Sequence, residues 1–245
     1  MLSGFYTAAS GVLTNQRALN LNANNMANVK TPGYREQRLI KTTFEEEFLR
    51  MQGGKSTSMG SGSLMTAAAS QAVSFKPGDL TETGGAYDLA LGADGYFVIQ
   101  GENGEYLTRN GNFRMDAEGY LSLNGIGRLM GENGPVRPGN EGFQVDEQGT
   151  FRNGKGDILG TLRIVMPDIP ESMQFYENGM FQAGNAQLLP VNTAVIQGSL
   201  EGSNVDLSAE MTRTMEIQRA FQSCSKALTI IDQMNQKTVS EIGKI

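Results

Sequence analysis

The sequence lacks histidine and tryptophan altogether, and its 245 residues include a single cysteine, Cys224. Without histidine the chain has no imidazole to act as a general base, to ligate zinc, or to activate a serine or cysteine nucleophile. One cysteine cannot form a disulfide within the chain, so the fold must be stable without one. These absences exclude the commonest hydrolase and zinc-site chemistries.

Positive charge and long apolar runs are also scarce. The formal net charge is −6, and the longest run of like charge is the acidic triplet at residues 45–47. Because no basic stripe is present, we expect no nucleic-acid partner. No stretch of about 18 apolar residues exists, and residues 1–16 lack the positive start and the apolar run of a signal peptide. We therefore expect no membrane insertion and no cleaved signal peptide.

Glycine and asparagine are abundant in the middle of the chain. Asn-Gly dipeptides favour the tight turns that join antiparallel strands, and short runs with β-branched and aromatic residues separate them here. The pattern predicts a hairpin-rich β domain over residues 82–190. The dipeptides are Asn103-Gly104, Asn110-Gly111, Asn124-Gly125, Asn133-Gly134, Asn153-Gly154 and Asn178-Gly179.

Both ends of the chain have helical periodicity. Mostly apolar residues recur there at steps of four and three, which is typical of a helix that packs along its length against another helix. We predict an N-terminal helix within residues 1–32, with Ser3 as a plausible cap, and a C-terminal helix over residues 207–245, capped by Asp206 or Ser208. The first stripe comprises Phe5, Ala9, Val12, Gln16, Leu19, Ala23 and Met26; the second comprises Thr214, Ile217, Phe221, Cys224, Leu228, Ile231, Asn235, Thr238 and Ile242.

The remaining segments connect these parts. Residues 33–81 are predicted to form an extended arm with a linker rich in Gly, Ser, Thr and Ala, and residues 191–206 a connector. The predicted fold class is therefore mixed and mainly β, with a hairpin-rich β domain inserted between long N- and C-terminal α-helices.

The polar positions in each stripe indicate that the helices need neighbouring chains. Burying Phe5, Val12, Leu19 and Met26 stabilises by about 1.5–3 kcal/mol each, whereas ordering a helix of this length costs about 1 kcal/mol or more per residue. An apolar stripe is often simply part of a domain's own core, and that alternative stays open. The predicted subunit interface comprises Phe5, Ala9, Val12, Leu19, Ala23, Met26, Ile217, Phe221, Leu228 and Ile231.

No catalytic, cofactor-binding or metal site is predicted. Residues 146–157 are faintly similar to a calcium loop, but Phe151 stands where glycine is required, so turns are the better interpretation. Carboxylates are numerous enough for a glycosidase pair, yet no motif singles one out. Cys224 lies on the apolar stripe and is interpreted as a small buried hydrophobe. A free periplasmic binding module and a wall hydrolase remain the alternatives to an assembling subunit.

Three motifs carry a family resemblance. Residues 23–34, Ala-Asn-Asn-Met-Ala-Asn-Val-Lys-Thr-Pro-Gly-Tyr, resemble the Ala-Asn-Asn-Leu-Ala-Asn-Val-Asn-Thr-x-Gly-Phe signature of flagellar rod and hook proteins. Residues 204–226 resemble the second signature of that family, and residues 88–121 resemble its central blocks. The motif residues used below are Asn24, Asn25, Ala27, Asn28, Thr31, Gly33, Tyr34, Asn204, Asp206, Leu207, Gln218 and Arg219.

The resemblance implies a structural role in the flagellar basal-body rod. The family's terminal helices stack into a helical tube that transmits torque for motility, its β domain decorates the outside, and its members leave the cytoplasm through the flagellar type III export apparatus. The implied partners are copies of the chain, other rod and hook proteins and that apparatus, with no cofactor or small-molecule substrate. Length and the single β domain are similar to both the larger proximal and the distal rod proteins, and the choice between them is left open.

Overall fold

A computed structural model of the chain describes residues 2–43, 66–102, 104–123, 125–139, 142–170, 173–176 and 179–242. These residues divide between two compact units. The helical unit lies within residues 1–27, 37–74 and 206–245, and the sheet unit lies within residues 28–36 and 75–205. The predicted fold class is confirmed, because the chain is mainly antiparallel β with a long helix towards each end.

Two helices dominate the helical unit: α1 spans Leu2–Ala27 and α2 spans Leu207–Ile242. Asp206 caps α2, since its Oδ1 accepts hydrogen bonds from the backbone N–H groups of Ser208 at 2.8 Å and Ala209 at 3.2 Å. Ser3 lies inside α1 and does not precede it, so it is not the cap that the sequence suggested. Neither helix, over its described residues, is long and apolar enough to cross a membrane.

An antiparallel hairpin completes the helical unit. Strand β1 (Gln37–Thr43) pairs with β2 (Thr66–Val73), and the register shifts between Ile40 and Lys41. The sequence did not predict strands here, because β2 is rich in alanine and has few β-branched or aromatic residues. Residues 44–65, which hold most of the predicted linker, lie outside the described residues.

The sheet unit consists of short strands. Their bounds are β3 Leu80–Glu82, β4 Leu89–Leu91, β5 Tyr96–Gly101, β6 Gly104–Thr108, β7 Arg114–Met115, β8 Leu121–Leu123, β9 Gly127–Gly131, β10 Gly134–Pro135, β11 Gln144–Val145, β12 Thr150–Arg152, β13 Ile158–Thr161, β14 Ile164–Pro167, β15 Gln174–Tyr176, β16 Met180–Gln182, β17 Leu188–Pro190, β18 Val195–Gln197 and β19 Ser199–Glu201.

The largest sheet runs in the order β15-β16-β6-β5-β9-β8-β7, with β14 also paired to β5, β17 to β14 and β10 to β9. Strands β11, β12 and β13 form a smaller sheet, β18 pairs with β4, and β19 pairs with β3. The last two pairs bring the segment that was predicted as a connector into the sheet unit.

A continuous apolar core holds the sheet unit together. Phe97 and Phe113 pack edge to face with ring centroids 5.4 Å apart, an arrangement that aromatic pairs favour. The core also includes Leu89, Ile99, Leu121, Leu123, Leu129, Val136, Phe143, Phe151, Leu162, Ile164 and Val195, each at most 6% exposed. The unit therefore has what a domain needs to fold on its own.

The same type of turn, in which an Asp or Asn side chain accepts hydrogen bonds from the backbone, recurs along the sheet unit. Oδ1 of Asp116 accepts hydrogen bonds from the backbone N–H groups of the residues two and four positions later, at 2.9 Å each. Asp146 and Asn153 do the same within residues 146–157, so that segment forms two tight turns in place of a calcium loop. The same four-residue spacing explains how short strands reverse direction so often.

Candidate functional site

The helical unit is held together by a buried polar cluster. The Asn22 side-chain amide donates to the Glu210 carbonyl oxygen at 2.8 Å and to the Thr214 hydroxyl at 2.7 Å. The Glu210 carboxylate, on a residue only 2% exposed, accepts from Arg213 at 2.6 Å and from Asn25 at 3.3 Å. A buried carboxylate needs such partners, because an unsatisfied charge would strongly destabilise the fold. The cluster therefore fixes α1 against the start of α2.

Asn25 also fixes the hairpin strand β1 against α1. Its side-chain amide donates to the Gln37 carbonyl oxygen at 2.8 Å and accepts from the Gln37 N–H at 3.1 Å. This two-bond arrangement copies the pairing of a backbone peptide group, which aspartate or leucine cannot reproduce. Asn25 is 0% exposed, so this motif residue has a structural role: it holds α1 and β1 together within the helical unit.

The predicted stripe of α1 is not the face that packs inside the chain. The buried stripe runs through Thr14, Ala18, Leu21 and Asn25, at the same four- and three-residue steps but two residues further along. Two residues correspond to about 200° around a helix, so the two stripes lie nearly opposite each other. Of the predicted residues, Phe5 and Ala23 are exposed, whereas Ala9, Val12, Leu19 and Met26 are half-buried.

The predicted stripe of α2 occupies the less exposed face of that helix. Ile217, Phe221, Leu228 and Ile231 are each half-buried. A Cβ added at Gly11 would lie 3.0 Å from the Cys224 Sγ, and one added at Gly4 would lie 3.8 Å from Ile231. This stripe therefore includes the face that packs against α1 in an antiparallel pair, and α2 continues beyond Ile231 for another 11 residues, to Ile242.

Large apolar side chains remain exposed on both helices. On α1, Leu13 is 63% exposed and Tyr6 is 53% exposed. On α2, exposure is 57% for Met215, 56% for Ile230, 54% for Met234 and 72% for Val239. Tyr6 and Leu13 are seven residues apart and share one face of α1, as Ile230 and Met234 do on α2, and apolar residues grouped on an exposed face are typical of an interaction surface.

The second group of motif residues lies in the turn after α1. The Thr31 hydroxyl donates to the Asn28 side-chain oxygen at 3.0 Å. Gly33 has φ +68°, and a Cβ there would lie 2.3 Å from the Arg109 carbonyl carbon, so only glycine fits. Its N–H donates to the Glu201 carbonyl oxygen at 2.8 Å. The turn therefore belongs to the sheet unit and packs against Arg109 and Glu201 of that unit.

A buried ion cluster sits beside this turn. The Glu201 carboxylate is 2.7 Å from the Arg35 guanidinium and 2.9 Å from the Arg109 guanidinium, and these three side chains are at most 3% exposed. Arg109 also donates to the carbonyl oxygens of Ala93 and Gly95. Burial lowers the pKa of the Arg35 guanidinium, and the Glu201 carboxylate opposes that shift. The cluster joins the segment after α1, the loop after β6 and strand β19.

Asn204 continues the same connection. Its side-chain oxygen accepts from the Glu36 N–H at 2.6 Å, its amide donates to the Lys76 carbonyl oxygen at 2.9 Å, and its own N–H donates to the Tyr34 carbonyl oxygen at 3.3 Å. Tyr34 is 1% exposed and packs edge to face on Phe175. The remaining motif residues are on the surface: Asn24, Ala27, Asp206, Leu207, Gln218 and Arg219.

Sequence reasoning missed four of the charged residues in these clusters. Glu210 is part of a quoted motif but was given no role, and Arg35, Arg109 and Glu201 belong to no helical stripe. The available signal was their place beside the motifs: Arg35 follows Tyr34, Arg109 lies within residues 88–121, and Glu201 comes shortly before residues 204–226. Among the described residues, no group of three or more acidic or cysteine side chains could hold a metal ion.

Family comparisons cover both ends of the chain. The family described as flagella basal body rod protein matches residues 5–35. The family described as flagellar basal body rod FlgEFG protein C-terminal matches residues 196–241. These ranges hold most of α1 and α2, the turn after α1 and strand β19.

Curated relatives are similar over the whole length. The chain is 30% identical to flagellar basal-body rod protein FlgF of Caulobacter vibrioides over 255 residues, which cover 100% of both chains. It is 30% identical to rod protein FlgG of Bacillus subtilis, covering 98% of this chain and 99% of that one. It is 31% identical to FlgF of Salmonella typhimurium, covering 93% of each chain. This chain therefore belongs to the flagellar basal-body rod protein family.

Proposed function

We propose that the chain is a structural subunit of the flagellar basal-body rod and has no catalytic activity. It polymerises through α1 and α2 into the helical tube that transmits torque and supports motility. Its partners are copies of itself, other rod and hook proteins and the flagellar export apparatus. It resides in the rod, in the cell envelope.

The observation that carries this proposal is the exposed apolar surface of the helical unit. Leu13 and Met215 are both more than half exposed, although each would normally be buried in a self-contained helical domain. The α1 stripe of Phe5, Val12 and Leu19 lies nearly opposite the face that packs inside the chain. Each helix therefore has one face used within the chain and further apolar surface for neighbouring subunits.

In this proposal the two units have different tasks. The predicted interface residues on α1 contact adjacent chains directly, and the half-buried stripe on α2 supports the helix pair and offers its remaining surface to them. Residues 82–190 belong to the outer domain of the rod. The buried clusters around Glu210 and Glu201 keep each unit rigid, so that load passes between subunits without local unfolding.

The first test is the protein content of hook–basal-body particles purified from the source bacterium. Mass spectrometry should find this chain at a fixed ratio to the other rod and hook proteins. A chain that is absent from the particles, but present free outside the cytoplasm, would contradict the proposal.

A substitution at Met215 tests the apolar surface itself. Met215→Asp should abolish motility and remove the chain from the particles, because a charge would be buried between subunits. The matched control Met215→Leu keeps the surface apolar and should assemble normally. Since Met215 is 57% exposed, the purified Asp variant should keep the circular dichroism spectrum and thermal midpoint of the unaltered chain. Normal motility of the Asp variant would remove this residue from the interface.

A further inference from the structure

The helical unit contains a groove that the packing of α1 and α2 leaves open. It has a volume of about 400 Å³ and lies between α1, β1 and the first half of α2. Its apolar lining includes Ala18, Leu21, Leu39, Ile217 and Ala220.

The rim of the groove is mainly basic. Arg38 and Lys41 line it with Glu216, which supplies one negative charge, and Arg213 also lines it with its guanidinium paired to the buried Glu210 carboxylate at 2.6 Å. The Lys41 ammonium is exposed and lies 3.3 Å from the Asn15 side-chain oxygen, which is a neutral acceptor. An apolar lining with a basic rim fits a helix that presents apolar residues beside a carboxylate.

The end of α2 presents such a surface. Ile230 and Met234 are one helical turn apart, and Glu241 follows seven residues later on the same face, because 11 residues make close to three turns. Ile230 is 56% exposed, Met234 is 54% exposed, and Glu241 is also exposed. These three residues are called the α2 end stripe below.

A chain cannot place this stripe in its own groove. Ala220 lines the groove and Ile230 begins the stripe, and both belong to one continuous helix. Ten residues of helix separate the two positions by about 15 Å. The stripe therefore lies beyond the groove of its own chain, and another copy must supply the occupant.

We propose that the α2 end stripe of one copy binds the groove of the next copy, with Glu241 beside Lys41 and Met234 over the apolar lining. This inference rests on the proposed function and specifies one contact within it. Groove and stripe are different surfaces, so each copy offers one of each to its neighbours. Such a head-to-tail contact does not close on itself between two copies, and it extends into a helical array when its rotation does not close a ring.

Cross-linking between two differently tagged copies tests the contact. One copy carries Ala220→Cys, the other carries Met234→Cys, and both carry Cys224→Ala so that no native thiol reacts. Both copies are produced in the source bacterium, and the purified hook–basal-body particles are treated with a short bismaleimide. We expect a cross-linked species that carries both tags.

The control for cross-linking moves the second thiol to another face of α2. Val239→Cys replaces Met234→Cys; Val239 is 72% exposed, and its five-residue offset places it about 140° around the helix. The proposal predicts much less cross-linking from this position. Equal yields from both positions, or no cross-link between Ala220→Cys and Met234→Cys in intact particles, would overturn the contact. The second result would leave the proposed function standing, whereas absence of the unaltered chain from the particles would contradict the proposed function itself.

Charge reversal tests the orientation. Adding Glu241→Lys to the Met234→Cys copy should lower the cross-link yield about two- to fivefold, which is the range for an exposed ion pair. Adding Lys41→Glu to the Ala220→Cys copy should restore the yield, because the opposite charges then face each other again. Failure of the second change to restore the yield would show that these two side chains do not meet.

Discussion

The two units of this chain are built on opposite principles. Among the described residues, the buried hydrophobic side chains of the helical unit are only Ala18 and Leu21, and its other buried residues are polar, including Asn22, Asn25 and Glu210. The sheet unit instead buries a continuous apolar core and exposes comparatively few large apolar residues for its size. Most buried side chains of the helical unit are therefore polar, and many of its large apolar side chains are exposed.

This contrast separates the two ways in which a chain can use apolar surface. The sheet unit buries such surface within itself, and the resulting hydrophobic free energy stabilises its own fold. The helical unit uses specific hydrogen bonds to set the geometry of two helices and a hairpin, and leaves apolar surface for other chains. A subunit that must first exist as a monomer and then assemble needs both arrangements.

The largest predicted effect lies in the buried ion cluster of the sheet unit. Glu201→Ala should lower the free energy of unfolding of that unit by about 3–5 kcal/mol, because two buried guanidinium groups would lose their shared carboxylate. Urea denaturation followed by tyrosine near-ultraviolet circular dichroism would measure the change. The control Glu105→Ala removes a partly exposed ion pair with Arg163 and should cost about 1 kcal/mol or less. If both variants lost the same free energy of unfolding, burial would not make the Glu201 ion pairs more important for stability than the exposed pair.

A smaller effect is expected at the turn after α1. Gly33→Ala should destabilise the sheet unit by about 2–4 kcal/mol, since strain at positive φ adds to a clash with the Arg109 backbone. Gly84 has the same φ of +68° but has no neighbouring atom within 4 Å of an added Cβ. Gly84→Ala should therefore cost only about 1–2 kcal/mol. The difference between the two losses of unfolding free energy measures the cost of the clash with the Arg109 backbone. Equal losses would show that this clash costs nothing.

The helical unit should respond to loss of a single amide. Asn25→Ala is expected to lower its stability by about 1–3 kcal/mol, because the buried Gln37 peptide group would lose both partners. Thermal unfolding followed by far-ultraviolet circular dichroism measures this. Asn20→Ala serves as the control, since Asn20 is exposed and its side-chain oxygen accepts a hydrogen bond from the exposed Gln16. A cost at Asn20 equal to that at Asn25 would argue against the polar core.

The smallest effect concerns an exposed turn of the sheet unit. The pKa of the Asp116 carboxyl is held below its usual range, first by the Tyr120 N–H and then by the Arg128 guanidinium. A depressed folded-state pKa stabilises the fold above the unfolded-state value, and this stabilisation is lost as pH falls through the folded-state value. An NMR titration should show that low pKa, and Arg128→Gln should move it upward. An unchanged value in that variant would leave the backbone bonds as the sole cause.

Sequence periodicity predicted both helices but not the face with which α1 packs. Hydropathy singled out Phe5, Val12 and Leu19, whereas the buried stripe contains Thr14 and Asn25. The pairing of Asn25 with a peptide group is a matter of hydrogen-bond geometry, and no hydrophobicity pattern reports it. The recurrence of Asn22 and Asn25 in step with Ala18 and Leu21 was the available signal.

In the sheet unit, the Asn-Gly dipeptides predicted turns from the sequence, whereas close contacts between backbone segments could not be predicted from it. Gly125 and Gly179 have positive φ, as the Asn-Gly rule expects. Gly111 is different, because a Cβ there would lie 1.6 Å from the Leu89 carbonyl oxygen of a paired segment. That requirement arises from tertiary contact, which the dipeptide alone does not encode. The hairpin of β1 and β2 was missed for the related reason that alanine-rich strands carry no strong local preference.

The seating of the turn against β19 has a consequence for how this chain can vary. The Gly33 N–H bonds to the Glu201 carbonyl oxygen, and the Asn204 amide bonds to the Lys76 carbonyl oxygen, so the two ends of the stretch 75–205 are neighbours beside this turn. A segment whose two ends meet can be lengthened, shortened or exchanged without displacing the parts of the chain outside it. The continuous stretch of residues 75–205 is thus a modular insert, and its size and surface can diversify while the two helices keep their lengths.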